Sequence, residues 1–201
     1  MKNIVKDTLA LTLITLVAGL LLGLVHEITA EPIAQQEETA KIEAYKAVFE
    51  EADTFEPVIS EEDADLQAFL AEKGYAAQTI NEVMEAVDAG GNSLGYAFNI
   101  TTSEGYGGDI TFSLGVKADG TTNGISILTI SETAGLGMNA TKDEFKNQFK
   151  DKQVDSFEVT KTGASADNEI DALSGATITS KAVTRGVNAG LLAFQYEKGG
   201  N

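Results

Sequence analysis

Among its 201 residues the chain has no cysteine and one histidine. Without cysteine there is no thiol chemistry, no disulfide and no cysteine-ligated iron–sulfur cluster. With His26 alone, metal sites built from several histidines are excluded, and a Ser-His-Asp hydrolase has no base in the body of the chain. Basic residues are scarce too: 14 Lys+Arg stand against 31 Asp+Glu, a formal net charge of −17. Nucleic-acid binding rests on neutralising phosphates with Lys and Arg, so no nucleic-acid partner is expected. Peripheral adsorption to anionic lipid is disfavoured on the same ground. The simplest reading of the acidity is solubility. No Gly-x-Gly-x-x-Gly fingerprint follows a strand pattern, and no acid/base pair marks a substrate cleft. Neither a metal site nor a catalytic residue is assigned. There is no internal repeat and no sign of a second folded domain, and the length suits one domain with a real core.

What the chain does have is one long apolar run. Leu9–Val25, LALTLITLVAGLLLGLV, carries no charge. At ~1.5 Å per helical residue it reaches roughly 26 Å, near the hydrocarbon thickness of a bilayer. Lys2 and Lys6 precede it, and Glu27 and Glu31 follow. The positive-inside rule then places the N-terminus in the cytoplasm. A cleaved signal peptide is the rival reading. Its apolar core would be shorter, and Ile28 is too large for the cleavage site that Ile28-Thr29-Ala30 would offer. A retained single-pass anchor over residues 1–30 is favoured, with residues 31–201 as one extracytoplasmic domain. Both readings put residues 31–201 outside the cytoplasmic membrane.

Beyond the anchor, Glu31–Glu51 reads as a helix, with Ile42, Tyr45, Val48 and Phe49 at helical spacing. Residues 56–72 are acidic and irregular, with a short helix around Ala64–Leu70. Strand patterns follow at Ile80–Val87, Leu94–Thr101, Asp109–Val116 and Ile125–Ile130, the middle two alternating as half-buried strands do. Glycine-rich turns separate them. Ala140–Phe149 returns to helix, Val154–Thr160 suits a last strand, and a final helix runs from about Thr179 to Tyr196. On that helix Val183, Val187 and Leu191 form a stripe beside Gly186 and Gly190, which points to close packing on a sheet. The expected fold is α+β: one curved, mainly antiparallel sheet packed against helices, behind a transmembrane helix.

The most informative segment is Asp171-Ala-Leu-Ser-Gly-Ala-Thr177, where a loop opens into that last helix. A helix start offers free N–H groups and a partial positive charge, so it suits a phosphate. Gly175 and Ala176 let the backbone approach closely. Ser174, Thr177, Thr179 and Ser180 crowd hydroxyls where one would suffice for an N-cap. Two further segments, Glu132-Thr133-Ala134-Gly135-Leu136-Gly137 and Gly105-Tyr106-Gly107-Gly108, read in isolation as a tight loop and a hairpin turn.

These three segments, in this order, resemble the domain family that carries flavin mononucleotide covalently, through a phosphoester on the last threonine of an Asp-x-x-Ser/Thr-Gly-Ala-Thr motif. The chain looks like the G subunit of the Rnf electron-transport complex, and is similar to the C subunit of the sodium-translocating NADH:quinone reductase. The shorter length favours the former. The resemblance covers nearly the whole chain in layout, though few residues carry it. It implies covalent FMN on Thr177, with Asp171, Ser174, Gly175, Ala176, Thr179 and Ser180 around the attachment point. It also implies Glu132, Thr133, Gly135, Leu136 and Gly137, with Tyr106, Gly107 and Gly108, near the ring. The family usually has Pro where this chain has Ala134. Asp171 either orients the loop, assists the transferase, or forms an Asx-type turn. A FAD-dependent flavin transferase would load the cofactor. The implied function is electron transfer within a membrane ferredoxin:NAD⁺ oxidoreductase that moves ions. Other membrane subunits would be partners, and this one would not be catalytic alone. The competing class is a membrane-anchored binding module without flavin.

Overall fold

The computed structural model describes residues 2–59 and 63–199. Ser60–Glu62, within the acidic stretch expected to be irregular, lie outside the described residues, as do Met1, Gly200 and Asn201. The apolar run is helical, and helix α1 spans Lys2–Val48. Pro32 lies inside it and withholds one N–H from the ladder. The Ala, Glu and Gln residues around Pro32 are strong helix formers, and the helix continues through it. The separate helix expected over Glu31–Glu51 is therefore the last part of α1. Every side chain described from Ile4 to Ala40 is exposed. The helix is long and apolar enough to cross a membrane. The chain divides into two compact units, one ending at Ala40 and the other starting at Lys41.

The second unit is built on a six-stranded antiparallel sheet whose strands lie in chain order. They are β1 (Thr54–Ile59), β2 (Gln78–Val87), β3 (Ser93–Thr102), β4 (Ile110–Lys117), β5 (Thr122–Thr129) and β6 (Lys150–Lys152). From β2 to β5 the meander follows from short glycine-bearing connections, which antiparallel pairing permits and parallel pairing does not, while helical segments join β1 to β2 and β5 to β6. Strand β1 had no counterpart in the sequence reading. It is an edge strand, and Pro57 sits where its register against β2 slips, as proline must. Helix α2 (Ala64–Glu72) is capped by Asp63, whose carboxylate accepts from the amides of Asp65 and Leu66.

The central strands are buried on both faces, not half-buried. On one face Tyr45 and Val48 from the end of α1, with Phe49 just after it, pack on Ala86 and Ala97. Small residues are needed there: a side chain at Gly115 would stand 3.0 Å from Val48 Cβ. The other face carries helix α4 (Thr177–Gly199), through the predicted stripe Val183, Val187 and Leu191. A Cβ at Gly186 would lie 2.8 Å from the Phe112 ring, and one at Gly190 would lie 2.6 Å from Leu114 Cδ2.

Between sheet and α4 runs a broken segment rather than the helix expected at Ala140–Phe149. A 3₁₀ turn at Gly137–Thr141, helix α3 (Asp143–Lys146) and a 3₁₀ turn at Asn147–Phe149 replace it. Lys142 is extended and interrupts the ladder. Phe145 and Phe149 still meet edge to face, their centroids 5.6 Å apart. The strand expected at Val154–Thr160 is reduced to β7 (Glu158–Thr160). It pairs in parallel with β8 (Glu169–Asp171), setting Thr160 beside Asp171.

Gly186→Ala would gain about 1 kcal/mol of helix propensity but force an overpacking cost of ~1–3 kcal/mol. A net loss of about 1 kcal/mol is expected, read as a lower urea midpoint at unchanged slope for the full chain in detergent.

Candidate functional site

The heptapeptide Asp171–Thr177 joins β8 to α4 and is pinned at both ends. The Asp171 amide donates to Gln148 Oε1 at 2.6 Å, and Gln148 Nε2 donates back to the Asp171 carbonyl at 3.4 Å. Asp171 Oδ1 accepts from the Ala164 amide at 2.7 Å, seven positions upstream, so it orders the preceding loop and does not form an Asx turn. At the other end Ser180 Oγ accepts from the Leu173 amide and donates to the Ala176 carbonyl, both at 2.9 Å. Ser180 is buried behind the loop, and its hydroxyl is spent on holding it.

The helix begins at Thr177, two residues earlier than expected. The Ser180 amide donates to the Ala176 carbonyl at 3.0 Å. Among the described residues the amides of Thr177, Ile178 and Thr179 have no acceptor, and the Thr177 hydroxyl has no partner. Three free donors and the positive end of the helix dipole thus surround one half-buried hydroxyl.

That helix start opens onto a cleft of about 500 Å³. Its walls come from all three predicted segments. Tyr106 enters from the loop before β4, and Glu132, Thr133, Leu136 and Gly137 from the loop after β5. Gly175, Ala176, Thr177 and Thr179 come from the heptapeptide and helix start. Gly107, Gly108 and Gly135 belong to the same loops but do not line the cleft. Gly135 takes φ +77°, and its carbonyl accepts from Asn139 Nδ2 at 2.8 Å.

Asp171 and Ser174 line a neighbouring cleft of about 610 Å³, together with Glu169. The Ser165 amide and hydroxyl, with the Ala166 amide, hold the Glu169 carboxyl below its ordinary range. The heptapeptide is therefore the wall between two clefts, with Asp171–Ser174 on one and Gly175–Thr177 on the other.

Glu132 organises the first cleft. Only 9% exposed, it accepts from the Tyr106 amide at 2.7 Å and the Gly107 amide at 3.2 Å on Oε1. Its other oxygen faces Gly137, where an added Cβ would lie 2.6 Å from both Glu132 Oε2 and Thr179 Oγ1. Gly175 has φ +74°, and a side chain there would press on Leu136. Glycine at these two positions keeps the cleft open.

Ile178 lines the cleft and was not anticipated. It is 53% exposed, a bulky aliphatic off the Val183–Val187–Leu191 stripe, and that position was the available signal. Gln148, which holds Asp171, left no signal in sequence.

A family profile described as FMN-binding domain matches residues 105–192, an interval that contains every residue lining the cleft. A second, for the RnfG N-terminal region, matches residues 1–48. The chain is 36% identical to the G subunit of the proton-translocating ferredoxin:NAD(+) oxidoreductase complex of Clostridium ljungdahlii, over 92% of this chain and 89% of that one. The chain belongs to the family of G subunits of ion-translocating oxidoreductase complexes. Another G-subunit relative, from the Na(+)-translocating ferredoxin:NAD(+) oxidoreductase complex of Acetobacterium woodii, is 33% identical over 96% of this chain and 93% of that one.

Two solved structures share the fold of this G-subunit chain. One is Shewanella oneidensis NqrC, with TM-score 0.51 and 21% identity, matched over 61% of this chain and 62% of that one. The other is the C subunit of the Na(+)-translocating NADH-quinone reductase of Parabacteroides distasonis, with TM-score 0.50 and 25% identity. That match covers 73% of this chain and 77% of that one.

In this G-subunit chain, Glu132→Ala would leave the Tyr106 and Gly107 amides without their acceptor. A loss of about 1–3 kcal/mol is expected by denaturant titration. Glu132→Gln, which keeps an oxygen acceptor, should lose less.

Proposed function

We propose that this chain is the electron-transfer subunit of a membrane ferredoxin:NAD⁺ oxidoreductase that translocates ions, and that it carries FMN on Thr177 through a phosphoester. The observation that carries this reading is a Thr177 hydroxyl with no partner among the described residues, at a helix start whose first three amides lack acceptors among them, at the edge of a cleft of about 500 Å³.

The residues fit the group. Free N–H groups at a helix start receive phosphate oxygens. Leu136, Ile178 and Tyr106 offer apolar surface for a flat ring, and the cleft volume lies within the usual range of ~300–1,000 Å³ for ligand sites. Glycine at 137 and 175 leaves room beside the attachment point. Bound flavin supplies reversible uptake and release of electrons. The chain's residues fix its place, keep the loops ordered and set its electrostatic surroundings.

Attachment needs FAD and a flavin transferase. The Thr177 Oγ–phosphorus bond forms, the pyrophosphate P–O bond breaks, AMP leaves, and the hydroxyl proton passes to a base on the transferase. Asp171 supports this step by ordering the loop that presents Thr177 and the loop before it.

On the same proposal residues 1–30 anchor the chain, with Lys2 and Lys6 on the cytoplasmic side, and residues 31–201 lie on the opposite side. Its partners are the other membrane subunits of the complex. A covalent link suits that location, where no pool of free FMN would replace a lost cofactor.

The test is an intact mass of the full chain co-expressed with a flavin transferase. A gain equal to FMN less one water on the Thr177 peptide is expected, lost in Thr177→Ala and kept in Thr179→Ala. An unmodified chain, with a known family member labelled in parallel, would leave a binding module without flavin.

A further inference from the structure

The loop that brings Tyr106 to the cleft is tied at two points. Glu132 binds its amides from the cleft side. The second tie lies outside the cleft. Glu104, just before the loop, receives Arg185 Nε at 2.7 Å and Gln78 Nε2 at 2.6 Å on the same oxygen, Oε2. Arg185 is committed further: it donates to the Gly74 carbonyl at 2.6 Å, and its guanidinium lies 5.0 Å from the centroid of the Tyr75 ring. Gln78 is 1% exposed, and its Oε1 has no partner among the described residues. Its amide is thus oriented by what the nitrogen donates to, Glu104 and Thr102.

Two features make this tie matter at the cleft. Arg185 stands on α4, roughly two turns and ~12 Å along the axis from Thr177. Among the described residues, Arg185–Glu104 is the only hydrogen-bonded connection between residues 103–109 and that helix. Beyond the bond from its amide to Glu132, little holds Tyr106. Its side chain is 72% exposed, and Gly105, Gly107 and Gly108 flank it, with Gly108 at φ +130°. A segment with so many glycines has wide conformational freedom unless its ends are fixed.

We propose that Arg185 and Glu104 form a positioning clamp. It registers the Tyr106 loop against α4, and so sets where the Tyr106 ring stands over the cleft. This rests on the proposal that Thr177 places a flavin there. The clamp joins the helix that carries the cofactor to the loop that faces it, and it touches neither cofactor nor attachment point.

The test uses the full chain in detergent, with and without a co-expressed flavin transferase. Variants are Arg185→Gln, Glu104→Gln, Tyr106→Leu and Arg185→Gln combined with Tyr106→Leu. A tyrosine ring in contact with an excited flavin quenches its emission by donating an electron, so emission per covalently bound flavin reads the position of Tyr106. Loading at Thr177 should be unchanged in Arg185→Gln and Glu104→Gln, and in the Tyr106 variants emission is read per flavin actually bound. Emission should rise toward the level of Tyr106→Leu in Arg185→Gln, and by less in Glu104→Gln, which keeps an oxygen acceptor, and the double variant should add nothing to Tyr106→Leu alone. Amide exchange at Tyr106 and Gly107 should accelerate in both clamp variants with or without flavin.

Unchanged emission and exchange in a fully loaded Arg185→Gln chain would overturn the clamp. So would an equal rise in emission when Arg185→Gln is added to Tyr106→Leu, since the pair would then act elsewhere. A wild-type chain that takes no flavin, while the clamp variants still accelerate exchange, would overturn the flavin proposal and leave the clamp standing. Glu104→Gln keeps the shape of the side chain and guards against a fold lost through Arg185.

Discussion

The place of the first turn of α4 depends on how closely that helix lies on the sheet, and two glycines set the distance. Gly186 meets the Phe112 ring, and Gly190 meets Leu114 and Ile100. Val183, Val187 and Leu191, buried beside them, each contribute about 1.5–3 kcal/mol by leaving water. The close approach fixes where Thr179 stands, and Gly137 can pass it only because it has no side chain. Gly137 in turn determines where Glu132 points its second oxygen. Packing in the middle of α4 is thus transmitted to the cleft at its start through contacts that leave no slack for a methyl group.

The acidity of the chain has a second use beyond solubility. Glu132 holds the amides of Tyr106 and Gly107. Asp171 holds that of Ala164, and Glu169 those of Ser165 and Ala166. Asp88 takes the amide and side-chain NH2 of Asn92 and the amide of Gly90 in the turn between β2 and β3, which holds its carboxyl below the ordinary range. A carboxylate accepting backbone N–H groups makes stronger hydrogen bonds than a neutral acceptor and can satisfy several donors at once. Glycine-rich loops need this most, because they have few side chains of their own to pack. The pairing of flexible loops with fixed carboxylates recurs on both sides of the heptapeptide.

The strands β2 to β5 and helix α4 were legible because their signals are local and long. Each strand carries a run of β-formers between turns, and α4 repeats its apolar stripe over several turns. The three segments at the cleft were legible as loop motifs with unusual glycine content. What brings them together was not. Strands β6, β7 and β8 are three residues long, too short for periodicity, and exist because neighbours supply partners. In β1 the alternation is hidden by Glu56 and by Pro57, which is tolerated only at an edge. The division of the heptapeptide between two clefts is set by Gln148, some twenty residues upstream, and sequence spacing does not encode such a contact. Nor did four hydroxyls near Thr177 reveal that Ser180 was already engaged.

The charge of the cleft bears on the form of the cofactor. Among the described residues lining it there is no Lys or Arg. The positive elements at hand are three amides and a helix dipole worth about half a unit charge. A phosphate monoester near neutral pH carries about −1.5 to −2, poorly matched to so small a field beside the carboxylate of Glu132. Joined to Thr177 as a diester, the phosphate would carry a single negative charge. The cleft is also open: Leu136, at 42% exposed, joins Tyr106 and Ile178 at its rim, so a ring resting there keeps part of its contact with water and gains limited affinity. A tether removes that requirement, because it holds the ring at a local concentration on the order of millimolar whatever the strength of its contacts. An acidic chain with an open cleft and no cation among the described residues lining it would hold a dissociable flavin poorly and an esterified flavin workably.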